Sequence, residues 1–176
     1  MDKKLNEKRL LYNKSEDLHF ITYNILLILY HLGCIDEKKE LKDYRKLSFL
    51  ISIVPDDKIT LLVKDYYDMT NIANESIKDS INKLYFQSIE NIILIRYVLL
   101  ILEERHILKI NNKKNSSNIY LVNVNKYKEF LISEKFEEEI KNIKVLKKNI
   151  SRLSSIKYIT FIDKLFKKNG VAVWEV

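Results

Sequence analysis

The residues able to do chemistry are few. The chain has three histidines, His19, His31 and His106, and a single cysteine, Cys34. Two helical ligands of one metal must sit three or four residues apart to share a face. His19 and His31 are twelve residues apart, roughly 18 Å along a helix rising 1.5 Å per residue, and His106 falls at the end of a predicted helix. One cysteine makes neither an internal disulfide nor a cysteine-based zinc site. No motif flanks Cys34 to mark a nucleophile, and a lone thiol usually packs as a small apolar group. The carboxylate clusters Asp56–Asp57 and Glu137–Glu139 fall at predicted helix starts, where they suit the helix dipole. Only Gly33 and Gly170 are glycine, which leaves no glycine-rich loop to cradle a phosphate. The expectation is a chain with no catalytic residue, no metal, no cofactor and no small-molecule substrate.

What remains is charge. Lysine and arginine number 31 against 24 acidic residues, a net charge of +7. A basic balance suits nucleic acid, a membrane surface or an acidic protein. The richness in Ile, Lys, Asn and Tyr is also what an AT-rich genome produces, so many lysines serve only solubility. The N-terminus, MDKKLNEKRLLYNKSEDLHF, lacks the apolar core of a secretory signal. The apolar runs Ile92–Ile95 and Tyr97–Leu102 are split by Arg96, and neither reaches the roughly 18 residues that span a bilayer. A cytoplasmic protein without membrane contact is expected.

The elements that must position this surface are mostly helical. The chain is 47% hydrophobic, with one proline and two glycines among 176 residues. It can bury a core, but it lacks the turn residues of a sandwich or barrel. Residues 1–17 are polar, a short helix or an arm. His19 to His31 is apolar on most sides and predicts a buried helix ended by Gly33 in a left-handed cap. Asp36 is placed as the cap of a second helix running to Val54, stopped by Pro55. Asp56–Asp57 start a third helix, Thr70 or Asn71 a fourth, and Ser88 caps a fifth over 89–105. Ile107 to Val124 then predicts a β-hairpin, with the polar run 111–118 as a loop of about eight residues, longer than the commonest hairpin loops. Beyond Asn125 the chain is helical again, and Gly170 ends the last helix before an apolar tail. The fold class is mainly α: a helical domain with a winged-helix-like segment (a small β-hairpin wing) over 18–124, and C-terminal amphipathic helices and tail over 125–176.

Helices followed by a hairpin form the layout of a winged helix-turn-helix, in which the helix before the wing reads the major groove. Such a helix offers Arg, Lys, Asn, Gln or Ser outward. Here only Arg96 is polar between Ile92 and Leu102, a pattern that predicts burial on all sides. Contact with DNA falls instead to the wing. Lys109, Lys113 and Lys114, with Asn111, Asn112, Asn115 and Asn118, suit phosphates or the minor groove, or else form a merely soluble tip. A second candidate surface is the stripe Phe136, Ile140, Ile143, Leu146, Ile150 and Leu153, at steps of 4, 3, 3, 4 and 3. It suits packing on its own domain or docking a coiled coil or ATPase head of another chain.

Two segments carry a family resemblance. Tyr23-Asn24-Ile25-Leu26-Leu27-Ile28-Leu29-Tyr30 precedes the charged Asp43-Tyr44-Arg45-Lys46 and then Leu47-Ser48-Phe49-Leu50-Ile51. This order, over 18–124, resembles the middle component of bacterial three-component ABC ATPase systems, the group that includes the Lamassu-type defence accessory subunit. The resemblance implies a non-enzymatic adaptor subunit. It would bind an SMC- or Rad50-like ABC ATPase in an anti-plasmid or anti-phage complex and help couple DNA sensing to an effector nuclease subunit. The competing reading is a stand-alone winged-helix DNA-binding protein, a repressor or plasmid replication factor.

Overall fold

The computed structural model of the chain describes residues 17–70, 72 and 74–174. The expected arm over 1–17 therefore lies outside the described residues except for Asp17.

Helix α1, Leu18–Leu32, begins where the Asp17 carboxylate accepts from the His19 amide. It ends at Gly33, whose φ of 86° is the left-handed conformation glycine adopts without steric cost. The run is apolar on most sides because it is central: Ile25, Leu27, Ile28 and Leu29 are all fully buried. Helix α2, Lys46–Ile53, is nearly all buried as well. Helix α3, Asp57–Tyr66, starts at Asp56, which caps the amides of Lys58 and Ile59. Helix α4, Glu75–Glu90, is capped by Asn74, three residues beyond the predicted opening at Asn71.

Helix α5, Ile92–Glu104, follows α4 after a single residue and is bent from it by 47°. The bend has a local cause. The Asn91 side-chain amide donates to the Gln87 carbonyl at 3.2 Å, the acceptor that an unbroken helix would give to the Asn91 backbone. Ser88, expected as the cap of this helix, lies inside α4 with its hydroxyl buried. No single described helix is long and apolar enough to cross a membrane.

Strands β1, Leu108–Lys113, and β2, Ser116–Leu121, form an antiparallel hairpin with Leu108 opposite Leu121 and Lys113 opposite Ser116. The polar run is therefore paired strand rather than an eight-residue loop. Its turn is only Lys114–Asn115. Polar cross-strand partners make this possible: the Ser117 hydroxyl donates to Asn112 at 2.7 Å. Glu40, from outside the hairpin, accepts from the amides of both Asn111 and Asn118.

Residues 34–45, of which 37–45 were expected as the first half of a helix, form a strap beside β2. Leu41 exchanges backbone hydrogen bonds with Ile119, Tyr44 donates to Ser117, and Leu121 donates to Cys34. Two side-chain effects oppose helix here. Asp36 draws the amides of Lys38 and Lys39 into a local turn, and Asp43 sits at φ 63°.

After the hairpin come the short α6, Lys128–Leu131, then α7, Glu137–Asn149, and α8, Tyr158–Leu165. Gly170 ends the last turn at φ 81°. Residues 18–124 and 125–174 contribute to one hydrophobic core. At its centre Phe49 of α2 meets Tyr85 of α4 and Tyr158, Phe161 and Phe166 of the C-terminal part, with ring centroids 5.1–6.3 Å apart.

Candidate functional site

The stripe of the late helix does not form a free surface. Ile143, Leu146, Ile150 and Leu153 are buried in the chain's own core, and Phe136 and Ile140 pack partly buried against it. The correction has a simple cause: α7 lies against α1 and α3. Asn142 on the same helix donates to the Val54 carbonyl at 2.9 Å, fixing the face inward. Of the two expectations for the stripe, packing on its own domain describes it, and it is not free to dock a partner.

The free apolar surface lies instead on α5, where burial on all sides was expected. Ile92, Ile95, Val98, Leu99 and Leu102 do face the core, toward α1, α2 and β1. No element covers the other side among the described residues. Ile93 is 82% exposed, Tyr97 55% and Leu100 52%. The steps of four and three place these residues on one face. Phe86 of α4 is also exposed and meets the exposed ring of Trp174 at 6.2 Å. Trp174 is held there by its backbone: its amide donates to the Tyr85 hydroxyl at 2.8 Å, and that hydroxyl is 3.3 Å from the Trp174 carbonyl. Glu90, Arg96 and Glu104 border the ridge and are exposed. Composition alone does not separate this surface from core, because both faces of α5 carry Ile and Leu. The one sequence signal is Arg96, which cannot face a dry interior unpaired.

The wing lysines divide. Lys109 and Lys114 are exposed. Lys113 is exposed but held by Glu40, with its ammonium 3.1 Å from the carboxylate. Burial opposes the charge of Glu40, but hydrogen bonds from Asn118, Asn111 and Lys113 hold its carboxyl below the usual range. Glu40 thereby fixes the hairpin to the strap.

Other reactive groups serve structure. Cys34 is buried, which pushes its thiol up to about 12 and away from the thiolate that nucleophilic attack requires. The His31 Nε2 lies 2.9 Å from the Leu131 carbonyl, and burial lowers the pKa of the ring. His19 and His106 are exposed. Among the described residues no group of three His, Cys, Asp or Glu side chains is placed to hold a metal ion.

One ionisable group was not singled out by sequence. Lys46 is fully buried, and its ammonium donates to three carbonyls, Leu153 at 2.8 Å, Ser154 at 3.0 Å and Ile156 at 2.9 Å. Three donors thus meet three acceptors. Burial brings its pKa down to about 7, against the opposing influence of Cys34 and Asp43. Beside it, Arg45 lies 4.3 Å over the Tyr158 ring. Its Nε donates to one Asp43 oxygen at 2.9 Å and its terminal nitrogen to the other at 2.7 Å.

No protein-family model matches the chain, and no curated protein or solved structure does so either.

Proposed function

We propose that the chain is a non-catalytic adaptor that docks a helical partner on the ridge of α5, as the accessory subunit of an SMC- or Rad50-like ATPase. The observation that carries this is the exposure of Ile93, Tyr97 and Leu100 on one helix face. Large exposed apolar residues that form a stripe mark interaction surfaces more often than isolated ones do. The pattern of the ridge indicates its occupant. Apolar residues at steps of four and three, bordered by Glu90, Arg96 and Glu104, match what one helix of a coiled coil presents to another. SMC- and Rad50-like ATPases carry long coiled coils, and the sequence resemblance over 18–124 points to that class. In this reading a separate nuclease completes an anti-plasmid or anti-phage complex in the cytoplasm.

The same ridge weighs against the reading as a repressor or replication factor. The helix that would enter the major groove offers Ile93, Tyr97 and Leu100, none of which suits a base edge as Arg, Asn or Gln do.

The test is co-purification of the tagged chain with the products of its neighbouring genes. Wild type is expected to retain an ATPase with a long coiled coil. The double variant Ile93→Asp, Leu100→Asp is expected to lose it while melting at the same temperature. Absence of any such ATPase, or its full retention by the variant, would overturn the proposal.

A further inference from the structure

The strap, strand β1, α7 and the segment after it bring basic side chains to two clefts. The first, about 460 Å³, is lined by Lys38, Lys39 and Lys42 of the strap and Lys147 of α7. The second, about 480 Å³, is lined by Lys42 and Arg45, Lys113 of the wing, and Lys157 just before α8. Lys42 lines both. Seven basic side chains meet only two carboxylates, Glu40 and Asp43. Asp36 and Glu37 of the strap line neither cleft, so within the clefts the basic excess is larger than the 31 against 24 of the whole chain.

The two carboxylates do not neutralise the surface. Glu40 is turned onto Asn111, Asn118 and Lys113, and Asp43 is gripped by Arg45. Both of their side chains are 7% exposed. Lys42, Lys38, Lys39 and Lys157 are exposed, and no ion pair joins any of them to a carboxylate among the described residues. The backbone beneath is fixed. Lys42 donates its amide to Ser154, and the Lys46 ammonium holds the carbonyls of Leu153, Ser154 and Ile156. The exposed groups between the lysines include the Asn115 amide, able to donate to phosphate oxygens.

We infer that this band binds the phosphate backbone of duplex nucleic acid, with Lys42 and Lys157 at its centre and the wing turn at its edge. An array of lysines without carboxylate partners releases counterions when it meets a polyanion. Lysine supplies point charge rather than the forked geometry that reads a base, so the binding is independent of sequence. A duplex is favoured over a single strand because the lysine-rich clefts offer no exposed aromatic ring for base stacking. The inference does not rest on the docking ridge, which lies on α5.

The experiment is fluorescence anisotropy of the full chain with a labelled 20-base-pair duplex of arbitrary sequence, repeated across salt concentrations. Three variants are compared: Lys42→Glu with Lys157→Glu, Lys128→Glu with Lys83→Glu on other surfaces, and Ile93→Asp with Leu100→Asp on the ridge. The first is expected to weaken binding about tenfold or more and to flatten the salt dependence by about one unit of slope for each phosphate no longer neutralised. The second carries the same change in net charge and is expected to lose less than about threefold, because scattered charge acts only through the screened long-range field. The ridge variant adds two negative charges away from the clefts and is likewise expected to lose less than about threefold, even where it no longer captures an ATPase. Melting curves confirm that each variant folds. Equal losses in the first two variants, no duplex binding by wild type, or tighter binding to poly-glutamate than to the duplex would each overturn the inference.

Discussion

At the scale of single residues, the helix ends at Asp56, Gly33 and Gly170 were legible and the buried cation was not. Those three sit where short-range rules put them, because a cap is satisfied by backbone groups a few residues away. Asp36 and Ser88, expected as caps by the same rules, instead hold a local turn and lie inside α4, respectively. Lys46 has its acceptors more than a hundred residues away. Next to Arg45 it reads as one more surface charge. Replacing it with Met leaves three carbonyls without their donor, so Lys46→Met is expected to destabilise the fold by about 2–4 kcal/mol, measured by urea unfolding. Lys46 also sets a pH dependence. Its folded pKa, about 7, lies below the ordinary 10.5, so above pH 7 the unfolded chain holds the proton more often than the folded chain. Stability therefore rises with pH from 7, by up to about 1.4 kcal/mol per unit. Cys34, pushed up from 9.0 to about 12, and Tyr67 and Tyr158, pushed up from 10.0 to about 12, act in the opposite sense. A maximum near pH 9 is expected in unfolding curves taken across pH, with the rise from 7 absent in Lys46→Met.

At the scale of elements, helix and hairpin were legible in kind but not always in extent or partner. The hairpin was expected and its place was right. Its polar half looked like a loop because the group that satisfies it, Glu40, lies 71 and 78 residues away from Asn111 and Asn118. Replacing Glu40 with Ala should leave the buried Asn118 amide unpaired. Hydrogen exchange at the amides of 109–120 is then expected to quicken by about tenfold or more, while α1 keeps its protection. The wing lysines Lys109 and Lys114 were legible as exposed charge; Lys42 and Lys157 were not, because only tertiary structure carries them to the same surface. The two apolar stripes exchanged roles for a related reason. Periodicity marks which face is apolar but not which face finds a neighbour. The 143–153 stripe found α1 and α3, while Ile93, Tyr97 and Leu100 found none among the described residues.

At the scale of the whole molecule, the C-terminal third completes the core rather than appending to it. Phe161 and Phe166 close on Phe49, and Leu146 and Ile150 are buried with α1. Protein interiors are close-packed, so a lost ring leaves a cavity. Phe49→Ala is expected to cost about 3–5 kcal/mol in thermal or denaturant unfolding. A fragment ending at residue 124 is expected to show no cooperative melting. A cooperative transition in that fragment would establish 18–124 as a domain that folds by itself. The sealing of the hairpin bears on how this molecule meets others. Leu41, Tyr44 and Cys34 occupy the outer hydrogen-bonding groups of β2, and the Glu103 carboxylate takes the outward amide of Ile110 on β1 at 2.8 Å. The β2 edge is closed to an incoming chain and the β1 edge is interrupted at Ile110, which hinders strand-by-strand growth of the wing into aggregates.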